Sequence, residues 1–273
     1  MSRLRLAYSN IAWQPHDDPD VLSLLRRQGI EGIEVAPTAV WRTWEEMTAS
    51  KARAYREFLT GHGFEVPALQ AILYNRPEAR LFEAHGEAVL LDHFARVAAV
   101  ASGLGARVAV LGAPAQRDRG GRSWPDALEH AVVPLRKAAV LFHDAGCCLC
   151  IEPNPRRYGC NFVTSAAEGI ELVAAVAHPG FGLHLDAAGM YLEQEDLAAV
   201  LPAALPMLRH FHLSEPDLGD FRTPVVPHED NLRCLHAAGY AGWCSVEMRR
   251  PAAPLADVGP WAVIARTGGG LDD

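Results

Sequence analysis

The chain repeats one unit from end to end: a short apolar run, a polar loop, then a longer segment with helical periodicity. Strands buried on both faces pair in parallel, and a parallel neighbour is reached only through a crossover, which is normally a helix. Strands are expected at residues 4–9, 33–36, 66–73, 107–111, 149–152, 182–186, 208–213 and 243–247. Helices are expected from Asp18, with Pro19 in its first turn, to Gly29, and over residues 51–61, 87–103, 125–145, 166–177, 197–205 and 231–237. Eight such units close naturally into an α/β fold of the (β/α)8, or TIM barrel, type. An open doubly wound sheet has the same periodicity. However, the segment after the first strand, Ser9-Asn10-Ile11-Ala12-Trp13, lacks the glycines of a dinucleotide-binding turn.

A chain of 273 residues, 49% hydrophobic, suits a single barrel domain over residues 1–273, with the glycine-rich end at 267–273 expected to fray. Acidic residues outnumber basic ones 33 to 25, which argues against a nucleic-acid surface and for a small-molecule substrate. No apolar run reaches the roughly 18 residues of a membrane span, and the first ten residues lack a secretory apolar stretch, so a cytoplasmic protein is expected, compatible with a homo-oligomer. Of six cysteines, Cys147, Cys148 and Cys150 share one expected strand. Adjacent residues there point to opposite faces, so reduced, structural thiols are expected rather than a shared site.

The informative pattern lies in the last four strands. Ile151-Glu152, Leu185-Asp186, Phe211-His212 and Val246-Glu247 each place an acidic residue or a histidine at or near the C-terminal end of an apolar run. In a barrel those ends converge on one mouth. A carboxylate there is costly to desolvate without a cation or hydrogen bonds, and three together repel. One divalent ion held by Glu152, Asp186, His212 and Glu247 resolves the conflict, and a set of three carboxylates and an imidazole suits Mn²⁺, Mg²⁺ or Co²⁺, with Zn²⁺ also possible. Taken singly, each residue has a blander role: Asp186 as a helix cap, Glu152 and Glu247 as partners of Arg156 or Arg249, His212 as a satisfied core histidine.

With these residues in view, the chain resembles the sugar-phosphate isomerase/epimerase family of xylose isomerase-like barrels, which includes ketose 3-epimerases. Ile151-Glu-Pro-Asn-Pro155, His184-Leu-Asp186, His210-Phe-His-Leu213 and residues 239–247 carry the likeness, which spans nearly the whole chain. The resemblance implies that Glu152, Asp186, His212 and Glu247 bind the metal and that Glu152 and Glu247 also exchange protons with the substrate. The expected activity is isomerisation or epimerisation of a sugar, sugar phosphate or related polyol ketone. A lyase or dehydratase is the alternative on the same scaffold, and a sugar-binding barrel without turnover is the alternative of another class. Two positions depart from ketose 3-epimerases: Asp186 is followed by Ala-Ala-Gly-Met190 rather than a substrate-binding histidine, and Arg156-Arg157-Tyr158 stands where a second glutamate is usual.

Substrate contacts are expected from His184 and His210, each two residues before a ligand on the same face, and from His228 in a loop. Gln70 and Asn154, near strand ends, are further candidates. Arg117 and Arg249 are candidates for an anionic group, as are Arg119 and Arg122 in the glycine-rich loop at 112–122. Trp13, Trp41 and Trp44 could form an apolar wall beside a sugar ring.

Overall fold

The computed structural model describes residues 3–250, so the expected tail at 267–273 lies outside the described residues. The strands are β1 (Arg5–Ser9), β2 (Gly32–Glu34), β3 (Ala68–Leu69), β4 (Val108–Leu111), β5 (Cys148–Ile151), β6 (Phe181–Asp186), β7 (Leu208–Ser214) and β8 (Trp243–Glu247). All pair in parallel, in the order β2-β1-β8-β7-β6-β5-β4-β3. The two end strands meet through isolated bridges, Gly32 with Glu65 and Val35 with Leu69, giving a nearly closed TIM barrel.

The helices are α1 (Asp18–Arg27), α2 (Pro37–Val40), α3 (Ala49–Gly61), α4 (Ala84–Leu104), α5 (Trp124–Asp144), α6 (Ala166–Val176), α7 (Ala187–Leu192), α8 (Leu197–Ala204) and α9 (His228–Ala237). Local chemistry sets their ends. Thr48, Ser123 and Ser165 accept the N–H groups of Lys51, Asp126 and Glu168 as N-caps of α3, α5 and α6. Gly105, at φ +71°, closes α4 in a left-handed conformation that costs glycine little. No described helix is long and apolar enough to cross a membrane.

Two expectations are corrected and one reading of Asp186 holds. The third strand, expected over residues 66–73, is cut to two residues because the chain turns at Ala71 (φ +53°). Ile72 and Leu73 remain buried in the turn that follows, so their apolar character reported burial rather than a strand. Asp186 does act as a helix cap: a short helix, α7, follows it directly, and its carboxylate accepts the Gly189 N–H at 2.6 Å. Finally, Cys148 and Cys150 share the inner face of β5 with their Sγ atoms 3.8 Å apart, because residues two apart on a strand point the same way. All six cysteines are free.

Candidate metal centre at the barrel mouth

Four adjacent strands deliver the acidic and histidine side chains to one end of the barrel. Glu152 follows β5 directly, Asp186 ends β6, His212 lies near the end of β7 and Glu247 ends β8. Asp186 is in register with His212, and Ser214 with Glu247, so these side chains face the same lumen. His212 Nδ1 lies 3.3 Å from Glu247 Oε2 and 3.9 Å from Asp186 Oδ2. Asp186, His212 and Glu247 can each present one ligand atom within 4.8 Å of the other two, and Glu152, His184 and His212 form a second such group sharing His212. Gly112 makes room for Glu152, since a Cβ at that position would collide with Glu152 Oε2.

Beneath this cluster lies a buried carboxylate absent from the sequence-based candidates. Glu34, at the end of β2, is fully buried and accepts hydrogen bonds from Ser245 Oγ at 2.7 Å and from His212 Nε2 at 3.0 Å. His210 Nε2 is 3.2 Å from the same carboxylate. Burial opposes the charge on both members of the Glu34–His212 pair, yet their mutual attraction holds Glu34 well below the usual carboxylate range. Together with Glu247, it holds His212 well above the usual imidazole range. The missed signal was the one used elsewhere in the chain: a glutamate ending the apolar run Gly32-Ile-Glu34-Val.

The donor set fits a divalent cation. With Nε2–H committed to Glu34, the remaining nitrogen, Nδ1, is buried without a hydrogen-bond partner and faces two carboxylates. A lone pair facing anions is tolerable only with a proton or a cation between them, and oxygen donors joined by one imidazole suit a hard or borderline ion. Burial, then Asp186 and Glu247, push the Glu152 carboxyl up to about 8, and burial with Glu247 raises Asp186. A proton must therefore leave Glu152 before its oxygen can bind a cation. Mn²⁺ affinity is expected to rise by at least about tenfold per pH unit between about pH 6 and 8, because His212, held well above the usual imidazole range, must shed a proton from Nδ1 as well. Calorimetric titration at fixed ionic strength checks this, and an affinity flat across that window would remove Glu152 from the ligand set.

Two cavities flank the cluster. One, about 320 Å³, is lined by Gln70, Tyr74, Gln116, Glu152, His212 and Glu247 among others; the other, about 430 Å³, by Glu152, Asn154, Tyr158, Asp186, Glu215 and Glu247 among others. Gln70 and Asn154 therefore sit where a substrate contact was expected. Gln70 is oriented by donating to Ser9 Oγ at 2.6 Å.

The other substrate candidates line neither of these cavities. His184 and His210 are fully buried below the cavities, packed with His212 in a group of three imidazoles. His228 is buried behind the second cavity, its Nε2 2.7 Å from Glu215 Oε1. Arg249 is exposed and lines neither cavity. Arg117 is 2% exposed and spends all five donors inside the protein, on the carbonyls of Gly112, Glu152, Phe162 and Val163 and on Asn154 Oδ1, so no donor remains for a substrate anion. Arg119 and Arg122 also line neither cavity; the Arg122 guanidinium bonds the Arg119 and Phe82 carbonyls. Trp13 and Trp44 are buried, bonded to Asp18 and to the Tyr74 carbonyl, while Trp41 packs edge-on against Tyr55. The bland partner for Glu152 fails too, because Arg156 pairs with Glu193.

The family model described as xylose isomerase-like TIM barrel matches residues 22–265. Among solved structures, a D-psicose 3-epimerase crystallised with D-fructose superposes with a TM-score of 0.77 at 18% identity, covering 98% of this chain and 97% of the other. An L-ribulose 3-epimerase gives 0.77 at 20% identity, covering 99% and 94%. The probable 3-DHS dehydratase AsbF of Bacillus anthracis gives 0.72 at 15% identity, covering 99% of both chains. At these identities the likeness establishes the fold. No curated protein sequence matches the chain.

Proposed function

Because the chain belongs to the xylose isomerase-like TIM barrel family, we propose that it is a divalent-metal-dependent isomerase or epimerase of a sugar or related polyol ketone. One observation carries this reading: Glu152 and Glu247 are the two carboxylates common to both cavities, so a substrate spanning them lies between two groups able to take and return a proton. The epimerases among the structural neighbours support the same class.

Glu152, Asp186, His212 and Glu247 would hold the ion. Bound there, a divalent cation supplies Lewis acidity, polarising a substrate carbonyl and neighbouring hydroxyl. Glu34 fixes the His212 tautomer and orients the ring through Nε2. Glu152 and Glu247 would take and return the proton on the two faces of the same carbon. Gln70 and Asn154 are placed to bond substrate hydroxyls. Among the described residues neither cavity is lined by Lys or Arg, which favours a neutral polyol over a sugar phosphate.

The test is proton exchange. Ketoses that demonstrably bind the Mn²⁺-loaded protein are expected to incorporate deuterium from D₂O at the carbon beside the carbonyl, together with isomerised product, as read by NMR. Binding with neither deuterium uptake nor isomerisation would overturn the assignment. A lyase or dehydratase is the second reading. It is favoured by Ala187–Met190, which form a buried helical turn where ketose 3-epimerases carry a substrate-binding histidine, and by the dehydratase neighbour. Loss of water from the substrate, seen by mass, distinguishes it.

A further inference from the structure

The opposite end of the barrel carries its own chemistry. A cavity of about 600 Å³ opens among the N-terminal ends of the strands, lined by Arg5, Arg56, Arg107, Arg209, Cys148 and Trp243 among others. Arg5 stacks on Trp243 at 3.8 Å and is neutralised by Glu31 and Glu65. Arg56, Arg107 and Arg209 have no carboxylate partner among the described residues. Three uncompensated guanidiniums around one cavity, in a chain with a net charge of −8, are a local concentration of positive charge that the overall composition does not explain.

Cys148 lines this cavity at the start of β5. Gly182, on the neighbouring strand, leaves the space in which the Arg209 stem and the thiols of Cys148 and Cys150 meet; a Cβ there would come within 2.7 Å of Arg209 Cγ and 3.1 Å of Cys148 Sγ. Cys150 lies 3.8 Å deeper and is fully buried, so it cannot meet a reagent first.

We propose that this cavity is a second site, which captures small anionic disulfides and couples them to Cys148 by thiol–disulfide exchange. The Cys148 proton goes to solvent. Its Sγ attacks one sulfur of the reagent, a new S–S bond forms, the reagent's S–S bond breaks, and one thiolate departs with the electron pair. Positive charge draws the anionic reagent in, and the cavity has room for its two linked halves. The thiol electrostatics agree. The hydrogen bond with Cys150 and the charge of Arg209 outweigh burial and lower Cys148, whereas burial raises Cys147, Cys150 and Cys244.

The experiment treats the full chain, at low ionic strength, with glutathione disulfide (dianionic), hydroxyethyl disulfide (neutral) and cystamine (cationic), and maps the modified cysteines by mass. The control thiol is Cys234, which is partly exposed and lies outside this cavity. Relative to Cys234, Cys148 is expected to favour glutathione disulfide over the neutral reagent by about tenfold. Pyrophosphate or high salt should remove that preference, and Arg56→Glu with Arg107→Glu should reverse it. An equal preference at the two cysteines, or one indifferent to both salt and charge reversal, overturns the proposal. The salt series keeps the test decisive even where a variant does not fold.

Discussion

Glu152→Gln is expected to lower kcat by on the order of 10²–10⁴-fold, while metal affinity falls far less. The amide keeps an oxygen for the cation but cannot accept a proton from carbon. On the proposed two-base mechanism, Glu247→Gln should also abolish net epimerisation, yet with a different residual pattern, because each carboxylate would serve one side of the reacting carbon. Partial solvent exchange should survive on the face whose carboxylate remains. Single-turnover assays in D₂O, run from both epimers, read this directly. Identical exchange and turnover in the two variants, or losses of metal that match the losses of activity, would leave both glutamates as ligands only.

Arg117→Met is expected to destabilise the protein by about 3–5 kcal/mol and to lower its melting temperature by roughly 10 °C. Removing the guanidinium takes a donor from main-chain carbonyls of two loops and from the Asn154 side chain, although the Val163 carbonyl keeps the Asn154 N–H at 3.1 Å. Arg117→Lys keeps a charge but reaches fewer acceptors, so an intermediate loss is expected. Because one of those carbonyls belongs to Glu152, the Lys variant should also show weaker Mn²⁺ binding at temperatures where it is fully folded. A Met variant melting within about 2 °C of the parent would show that water replaces the guanidinium without cost.

The barrel and the four residues at its mouth were legible because a charged group ending an apolar strand is a costly anomaly wherever it occurs, and strand order alone brings such ends together. Glu34 carries the same anomaly on β2, but its weight depends on reaching His212, 178 residues away, and no local pattern reports that bond. Arg117 was misread for a related reason. In a polar, glycine-rich loop a guanidinium reads as solvated, and the acceptors that bury it at Phe162 and Val163 come from a segment 45 and 46 residues further on. The third strand was overextended because apolar residues fill buried turns as readily as strands. His184 and His210 were correctly placed on the inner face by their spacing, but spacing says nothing of depth, and depth is what separates a support from a substrate contact.

β2 and β3 meet at a junction of two isolated bridges rather than a continuous ladder. Glu34 stands on one side of it and reaches across the lumen to Ser245 and His212, on β8 and β7. The buried charge pair therefore spans the lumen from β2 to the pair of strands with the longest ladder, besides tuning the imidazole. The bonds that aim His212 thus also link the two sides of the lumen, so slackening them is expected to show as faster hydrogen exchange at the amides of Ile33 and Val35, which bond Glu65 and Ala68 across the junction.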